Sequence, residues 1–194
     1  MVISEKHNFI YIAVSKTGTT SVHNAFSNLD DETLFIERLN EKRTDRVNQS
    51  LYKHIKGPIL KKEIKNYNKY FKFTFIRNPW DRLVSWFRSH DRRMNPGWLS
   101  RSNLEKIPEY FWDNQSEWIF EGDSCLVDFV GRYENFQEDF NVVCDKIGIP
   151  RKQLPHKNKS KHKHYTEYYN DETRQIVAEN YAKDIEYFGY EFGK

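Results

Sequence analysis

The chain has 194 residues, carries a net charge of +3, and is 38% hydrophobic and 30% charged. This length is typical of one domain with a sizeable core, and no apolar run approaches the ~18 residues that a membrane span needs. Its two cysteines give no disulfide framework and no metal-ligand spacing. We therefore expect a single soluble domain, residues 1–194, in the reducing cytoplasm, unless it is a catalytic domain cut from a longer membrane-anchored protein.

Strand and helix patterns alternate along the chain. Short runs of β-branched and aromatic residues predict strands at residues 9–14, 33–36, 71–76 and 126–133. Apolar residues at helical spacing predict helices at residues 22–29, 59–67, 79–89, 107–120, 134–147 and 171–187. This order predicts an α/β fold whose mostly parallel central sheet is flanked by helices, with ligands at the carboxyl ends of the strands.

The segment SKTGTTS, residues 15–21, lies between the first predicted strand and the first predicted helix. Gly18 frees the backbone to turn, and the three hydroxyl residues after it can cap the helix. Backbone N–H groups at a helix start attract anions, and Lys16 adds a full positive charge. The phosphate-loop pattern GxxxxGK[ST] is absent, which argues against an ATPase or GTPase. The segment therefore predicts a cradle for an anionic ligand, with an ordinary strand-to-helix turn as the alternative.

The segment FIRNPWDRLVSWF, residues 75–87, carries a second set of anion-binding side chains. Arg77 follows the predicted strand, and Asn78 and Pro79 suit the start of a helix. Ser85 lies two turns along that helix on the same face, so a guanidinium and a hydroxyl can meet at one phosphate-sized group. The alternative is a capped helix with a structural Arg–Asp pair.

Residues 151–164 carry six Lys or Arg residues, three His and no acidic residue. This run predicts either a solvated basic loop or a flap over a polyanionic ligand. Its histidines could imitate a metal site, but a lysine-rich loop repels cations, so we expect no metal. Nucleic-acid binding is a further alternative, although the chain has no RRM, KH or zinc-finger signature.

Five segments, taken in order, resemble one family. SKTGTTS and FKFTFIRNPWDRLVSWF look like the two donor-binding motifs of sulfotransferases that use 3′-phosphoadenosine 5′-phosphosulfate (PAPS). DFVGRYENFQEDF, LPHKNKSKHKHYTEYY and YAKDIEYFGYEF resemble later segments of the Golgi carbohydrate sulfotransferase group and its bacterial relatives. The resemblance implies a P-loop-NTPase-like sulfotransferase fold, in which residues 91–125, which match poorly, form a variable acceptor-binding region.

The same resemblance implies the chemistry. It predicts PAPS as the donor, 3′-phosphoadenosine 5′-phosphate (PAP) as the product, and a hydroxyl of a carbohydrate as the acceptor. It also makes a Golgi-lumen catalytic domain without its anchor the alternative to a cytoplasmic enzyme. Transfer of a sulfuryl group to a hydroxyl is an in-line displacement that needs no metal, close in logic to phosphoryl transfer.

Individual residues receive roles from the resemblance. Lys16 would contact the 5′-phosphosulfate and stabilise charge on the leaving phosphate oxygen, and His54 would act as the catalytic base. Arg77 and Ser85 match the ligands of the 3′-phosphate. The other predicted donor-binding residues are Thr17, Gly18, Thr19, Thr20, Ser21, Lys159, Ser160 and His164.

Several alternatives stay open at this point. His23, or a carboxylate such as Glu63, could be the base instead. Trp98, Trp112 and Trp118 are either core residues or line an acceptor cleft. The chain could also be a P-loop-like nucleotide kinase or a non-catalytic nucleic-acid-binding module. The family resemblance favours an enzyme that binds no nucleic acid and has no membrane span.

Overall fold

The structure is a computed structural model that describes residues 1–27, 29, 33–35, 54–91, 94–154 and 163–194. The chain divides into two compact units. The first unit comprises Met1–Ile76 and Glu117–Lys157, and the second comprises Arg77–Ser116 and Asn158–Lys194. The expectation of one domain over residues 1–194 stays a prediction.

The described strands all belong to the first unit. Their bounds are β1 Val2–Ser4, β2 Phe9–Ile12, β3 Thr33–Phe35, β4 Phe71–Ile76, β5 Phe120–Glu121, β6 Ser124–Cys125 and β7 Phe129–Arg132. The strand predicted at residues 71–76 has its predicted bounds. Those predicted at residues 9–14 and 126–133 are confirmed but shorter, and the short strand predicted from residue 33 is confirmed as β3. No predicted strand corresponds to β1, β5 or β6.

The α-helices belong to both units. Their bounds are α1 Thr19–Phe26, α2 Gly57–Glu63, α3 Pro79–His90, α4 Arg101–Leu104, α5 Phe136–Ile147, α6 Asp171–Asn180 and α7 Ala182–Phe188. Short 3₁₀ turns lie at Tyr67–Lys69, Glu109–Phe111, Gln115–Trp118, Tyr133–Asn135 and Tyr165–Tyr168. No helix in the described ranges is both long and apolar enough to cross a membrane. The cytoplasmic location and its Golgi-lumen alternative stay predictions.

Five of the described strands form one sheet in the order β3–β1–β2–β4–β7. β2 pairs in parallel with β4, and β4 with β7, whereas β1 is antiparallel to both of its neighbours. Of these five strands, β1 therefore runs against the other four. Parallel pairing brings the carboxyl ends of β2, β4 and β7 to one edge of the sheet. The predicted α/β fold with a mostly parallel sheet is confirmed.

Helices of the first unit cover both faces of this sheet. On one face, Phe26 of α1 and Phe140 of α5 pack with the buried aromatic side chains of β2 and β4. On the other face, Leu60 of α2 packs with Ile10 and Ile12 of β2. A strand that is buried on both faces reads as a continuous apolar run, which is why β2 and β4 are recognisable in the sequence.

The second unit contains α3, whose start is fixed by Asn78. The Asn78 Oδ1 accepts hydrogen bonds from the backbone N–H groups of Trp80 at 3.1 Å and Asp81 at 3.5 Å. Its Nδ2 donates to the Tyr165 hydroxyl at 3.2 Å and to the Glu191 carbonyl at 3.1 Å. The predicted cap at Asn78 is confirmed, and the same side chain joins α3 to two later segments of the chain.

Two helix predictions are wrong. The region predicted as one helix over residues 107–120 forms two 3₁₀ turns and the strand β5. The helix predicted over residues 171–187 is broken at Tyr181, where φ is −107° and ψ is 27°. The buried Tyr181 hydroxyl donates to the Phe111 carbonyl at 2.7 Å. Such long-range contacts override the local helical spacing of apolar residues.

Candidate active site

The loop between β2 and α1 holds two residues in the left-handed region of backbone space. Lys16 has a φ of 67° and Gly18 has a φ of 85°. Glycine adopts such a φ without steric cost, whereas for other residues the left-handed conformation costs about 1–2 kcal/mol. Strain of this size is concentrated at functional sites, where the surrounding structure maintains it. The conformation of Lys16 therefore marks this turn as a candidate functional loop.

The threonine side chains of this loop are bonded inward. The Thr17 and Thr19 hydroxyls each donate to the Val14 carbonyl at 2.9 Å. The buried Tyr11 hydroxyl lies against both threonines. Burial raises the pKa of Tyr11 to about 12. The Thr17 and Thr19 hydroxyls therefore stabilise the loop, and their protons are not directed at a ligand.

The start of α1 presents backbone N–H groups in place of a side-chain cap. Gly18 is the N-cap residue and no side chain caps the helix, so the hydroxyl cap predicted at Thr19, Thr20 and Ser21 is wrong. The Ser21 N–H donates to the Gly18 carbonyl at 2.9 Å. Within the described part of the chain, no hydrogen bond uses the backbone N–H groups of Gly18, Thr19 or Thr20. These groups, at the positive end of the helix dipole, have the features of an anion cradle.

Gly18 lies directly on the ring of Phe136, the first residue of α5. A Cβ atom added at Gly18 would come within 2.4 Å of the Phe136 Cζ. The Phe136 ring meets the Phe75 ring edge-on, with the ring centroids 4.9 Å apart. A residue with a side chain at position 18 would therefore have an unfavourable φ. Its Cβ would also clash with the Phe136 ring, which packs against Phe75 of the sheet.

We expect Gly18→Ala to lower the free energy of unfolding by about 2–4 kcal/mol, from the left-handed φ together with overpacking against Phe136. Gly148→Ala is the matched control, because Gly148 has a φ of 71° but nothing within 4 Å of an added Cβ. That variant should lose only about 1 kcal/mol. Urea unfolding of both variants measures the difference. Equal losses would show that the Phe136 ring does not restrict the loop.

His54 precedes α2, and its imidazole is oriented by Ala13, the first residue after β2. Its Nδ1 lies 2.7 Å from the Ala13 carbonyl oxygen. A carbonyl oxygen only accepts, so Nδ1 carries the proton and, in the neutral ring, Nε2 carries the lone pair. The buried Trp118 ring packs edge-on against the imidazole, with centroids 6.1 Å apart. His54 thus has the tautomer that a general base acting through Nε2 needs.

Consecutive carbonyl groups hold both the loop and the imidazole. The Ala13 carbonyl accepts from His54, and the Val14 carbonyl accepts from Thr17 and Thr19. The structure therefore brings the predicted base and the predicted anion loop together through two neighbouring peptide units at the carboxyl end of β2. This is the edge of the sheet at which the α/β fold predicts a ligand.

Arg77 follows β4 along the chain and is 6% exposed. Its Nε donates to the Asp81 carboxylate at 2.8 Å, one turn into α3. The half-buried Ser85 lies one turn further along the same helix face. Arg82 is fully buried instead, with its guanidinium 4.5 Å from the centre of the Phe111 ring. The structural Arg–Asp pair is therefore present, and it orients the Arg77 guanidinium on the face that carries Ser85.

The remaining predicted site residues lie elsewhere in the chain. His23 is half-buried in α1, and Glu63 is exposed at the end of α2. His164 is exposed, and its Nδ1 lies 2.8 Å from the threonine hydroxyl two residues further on. Lys159 and Ser160 lie outside the described residues, as does most of the predicted basic flap.

Three residues that support this site carry no sequence signal of that role. Tyr11 contacts the loop threonines, Phe136 supports Gly18, and Trp118 packs on His54. Tyr11 and Phe136 are aromatic residues of predicted elements, where the pattern indicates only core packing, and Trp118 is predicted either in the core or in an acceptor cleft. The core position is confirmed for Trp118, which is 7% exposed.

Comparison with known proteins gives the family. A sequence model of the sulfotransferase family matches residues 1–191. An uncharacterized protein of Archaeoglobus fulgidus is 32% identical over 101 residues, which cover 44% of this chain and 74% of that protein. The crystal structure of a sulfotransferase from Alicyclobacillus acidocaldarius aligns with 95% of this chain and 96% of its own, at 16% identity and a TM-score of 0.46. Because the family model spans nearly the whole chain, the protein belongs to the sulfotransferase family.

Proposed function

We propose that this sulfotransferase moves the sulfuryl group of PAPS to an acceptor hydroxyl, and that the acceptor is a carbohydrate. The family supports sulfotransfer and implies a hydroxyl acceptor. The observation that carries the proposal is the anchoring of the His54 imidazole and the Lys16 loop on the consecutive carbonyl groups of Ala13 and Val14. Transfer to a hydroxyl requires a base and an anion cradle in a fixed relation to each other.

The chemistry of the loop fits the 5′-phosphosulfate of this donor. Residues 13–20 include no acidic residue. They supply the Lys16 ammonium and a run of backbone N–H groups, which are the donors that phosphate and sulfate oxygens accept from. Since Thr17 and Thr19 direct their hydroxyls inward, we assign the ligand contacts to Lys16, to the backbone N–H groups of residues 18–20, and to the hydroxyls of Thr20 and Ser21.

Each catalytic side chain has one task in this proposal. When bound, the donor supplies the sulfuryl group and a phosphate oxygen that leaves with negative charge. Lys16 holds a positive charge beside that oxygen, which lowers the barrier because the charge develops in the transition state. His54 accepts the proton of the acceptor hydroxyl at Nε2, since Nδ1 already donates to the Ala13 carbonyl.

We assign the 3′-phosphate to Arg77 and Ser85. A guanidinium is a planar fork that matches two phosphate oxygens, and the Asp81 carboxylate orients this fork through Nε. The hydroxyl of Ser85, on the same helix face, adds a neutral donor. The site then combines a buried charge with a hydroxyl on the same helix face, which favours a nucleotide that carries a 3′-phosphate over one that lacks it.

We expect Arg77→Ala to weaken binding of PAP about 10–150-fold, the range for hydrogen bonds to a charged group, and to weaken adenosine 5′-phosphate far less. Ser85→Ala should act in the same direction with a smaller loss. Isothermal calorimetry with both nucleotides is the measurement. Arg101→Ala and Ser89→Ala are matched controls, because these residues are exposed and their side chains bond elsewhere. Equal losses for both nucleotides would contradict a 3′-phosphate site.

The reaction itself is tested with radiolabelled PAPS and a panel of hydroxyl acceptors that includes carbohydrates. Labelled carbohydrate would support the whole proposal, and labelled product from another hydroxyl class would support the reaction and correct the acceptor. A thermal shift with ATP·Mg²⁺ and none with PAP would indicate a nucleotide kinase. Salt-sensitive oligonucleotide binding that survives Lys16→Ala would indicate a nucleic-acid-binding module.

A further inference from the structure

The Gln115 side chain forms hydrogen bonds with both the backbone N–H and the backbone carbonyl of Arg77. The Arg77 N–H donates to the Gln115 Oε1 at 2.9 Å, and the Gln115 Nε2 donates to the Arg77 carbonyl at 2.8 Å. Gln115 is fully buried. Its side-chain amide therefore supplies the two hydrogen bonds that a neighbouring strand would give, at the first residue beyond the end of β4.

Gln115 is itself fixed by a buried carboxylate. Asp184, in the first turn of α7, accepts from the backbone N–H groups of Gln115 at 2.6 Å and Ser116 at 2.8 Å. The Asp184 N–H donates to the Asn114 Oδ1 at 3.2 Å. Because Asp184 and Gln115 are fully buried, breaking the bond between them would leave buried polar groups without a partner. The turn that carries Gln115 is thus held firmly in place.

We propose that Gln115 is a positioning residue that, through the backbone of Arg77, holds the guanidinium ready for the 3′-phosphate. This inference rests on the proposed function of Arg77. The guanidinium itself is also held, by the bond from Nε to the Asp81 carboxylate. Both the backbone and the guanidinium of Arg77 are therefore fixed by hydrogen bonds. An arginine that is already ordered loses less conformational entropy when a phosphate binds, so it binds more tightly than a mobile one.

A double-mutant cycle with Gln115→Met and Arg77→Ala tests this role. The readout is the ratio of the dissociation constants of adenosine 5′-phosphate and PAP, measured by calorimetry, which isolates the contribution of the 3′-phosphate. We expect Gln115→Met to lower this ratio about three- to tenfold, the effect of having to order one long side chain on binding. In the Arg77→Ala background the same change should leave the ratio unaltered.

Thr173→Val is the matched control for stability. The buried Thr173 hydroxyl bonds to Asn170 at the start of α6, in the same unit as Gln115. Its loss should lower the free energy of unfolding without changing the ratio of dissociation constants. A change in the ratio in Thr173→Val would show that any loss of stability disturbs this site, and would overturn a specific role for Gln115.

The outcomes separate this inference from the proposed function. An unchanged ratio in Arg77→Ala would contradict the 3′-phosphate assignment of Arg77 itself. A normal effect of Arg77→Ala, with no effect of Gln115→Met or with an equal effect in both backgrounds, would overturn the positioning role alone. If Gln115→Met does not fold, hydrogen exchange of the wild-type protein decides. At equal saturation PAP should slow exchange of the Arg77 amide more than adenosine 5′-phosphate does, and equal protection would overturn the role.

Discussion

Lys16→Ala is expected to lower kcat about 10²–10³-fold, the usual loss when one preorganised donor to a developing negative charge is removed. The protein should still fold, because the left-handed conformation of Lys16, with a φ of 67°, favours neither lysine nor alanine. Lys16→Gly should lower kcat equally and raise the free energy of unfolding by about 1 kcal/mol, because glycine relieves this conformation. Steady-state kinetics and urea unfolding of both variants are the measurements.

Asn66→Gly is the matched control for the two Lys16 variants. Asn66 also has a left-handed backbone, with a φ of 59°, at the start of the 3₁₀ turn Tyr67–Lys69. Glycine there should give a smaller gain in stability, because asparagine tolerates this conformation better than lysine does, and should leave kcat unchanged. A near-normal kcat in Lys16→Ala would remove Lys16 from the mechanism. A low kcat in Asn66→Gly would show that turnover responds to relief of backbone strain wherever it occurs.

We expect His54→Ala to lower kcat about 10²–10⁴-fold, the contribution of a positioned general base, with little change in the affinity for PAP. A histidine has an ordinary pKa of about 6.5, so a histidine base becomes protonated and stops accepting protons as the pH falls. The acid limb of the pH profile of kcat reports this loss. It should therefore disappear in His54→Ala. Kinetic assays between about pH 5 and 8 check both expectations.

His90→Ala is the control for the imidazole. The His90 Nδ1 also lies beside a backbone carbonyl, that of Trp86 at 2.8 Å, and its ring stacks on Trp86 with centroids 4.2 Å apart. Its surroundings thus match those of His54 in kind, yet no catalytic role is assigned to it. Its removal should leave kcat and the acid limb intact. If His54→Ala keeps the acid limb, the role of the base moves to His23 or to a carboxylate such as Glu63.

Elements whose ends are set by their own residues could be predicted from the sequence. β4 is an apolar strand with its predicted bounds, and α3 begins after Asn78 because asparagine and the proline that follows fix a helix start. The break at Tyr181 could not be predicted in this way. It accompanies a hydrogen bond to Phe111, 70 residues earlier, and the fold alone brings these two residues together.

The same distinction between local pattern and long-range contact applies to the candidate site. The turn that carries Lys16 follows from a local pattern, and His54 from the family resemblance. The inward direction of the Thr17 and Thr19 hydroxyls depends on the Val14 carbonyl, which residue spacing does not reveal. Gln115 belongs to no motif, because its contact with Arg77 spans 38 residues and exists only in the folded chain.

The adjacent carbonyl groups of Ala13 and Val14 determine how this chain can change in length. His54 bonds to one carbonyl and the loop threonines bond to the other, so one peptide unit sets the spacing between the proposed base and the proposed anion loop. The 41 positions that separate Ala13 from His54 along the chain include the loop itself, but the positions after α1 do not enter that spacing. Changes in the number of residues between α1 and His54 therefore preserve this spacing as long as the two sets of bonds form. Evolution, or a designer, can thus alter the length of this stretch without moving the proposed base relative to the loop that carries Lys16.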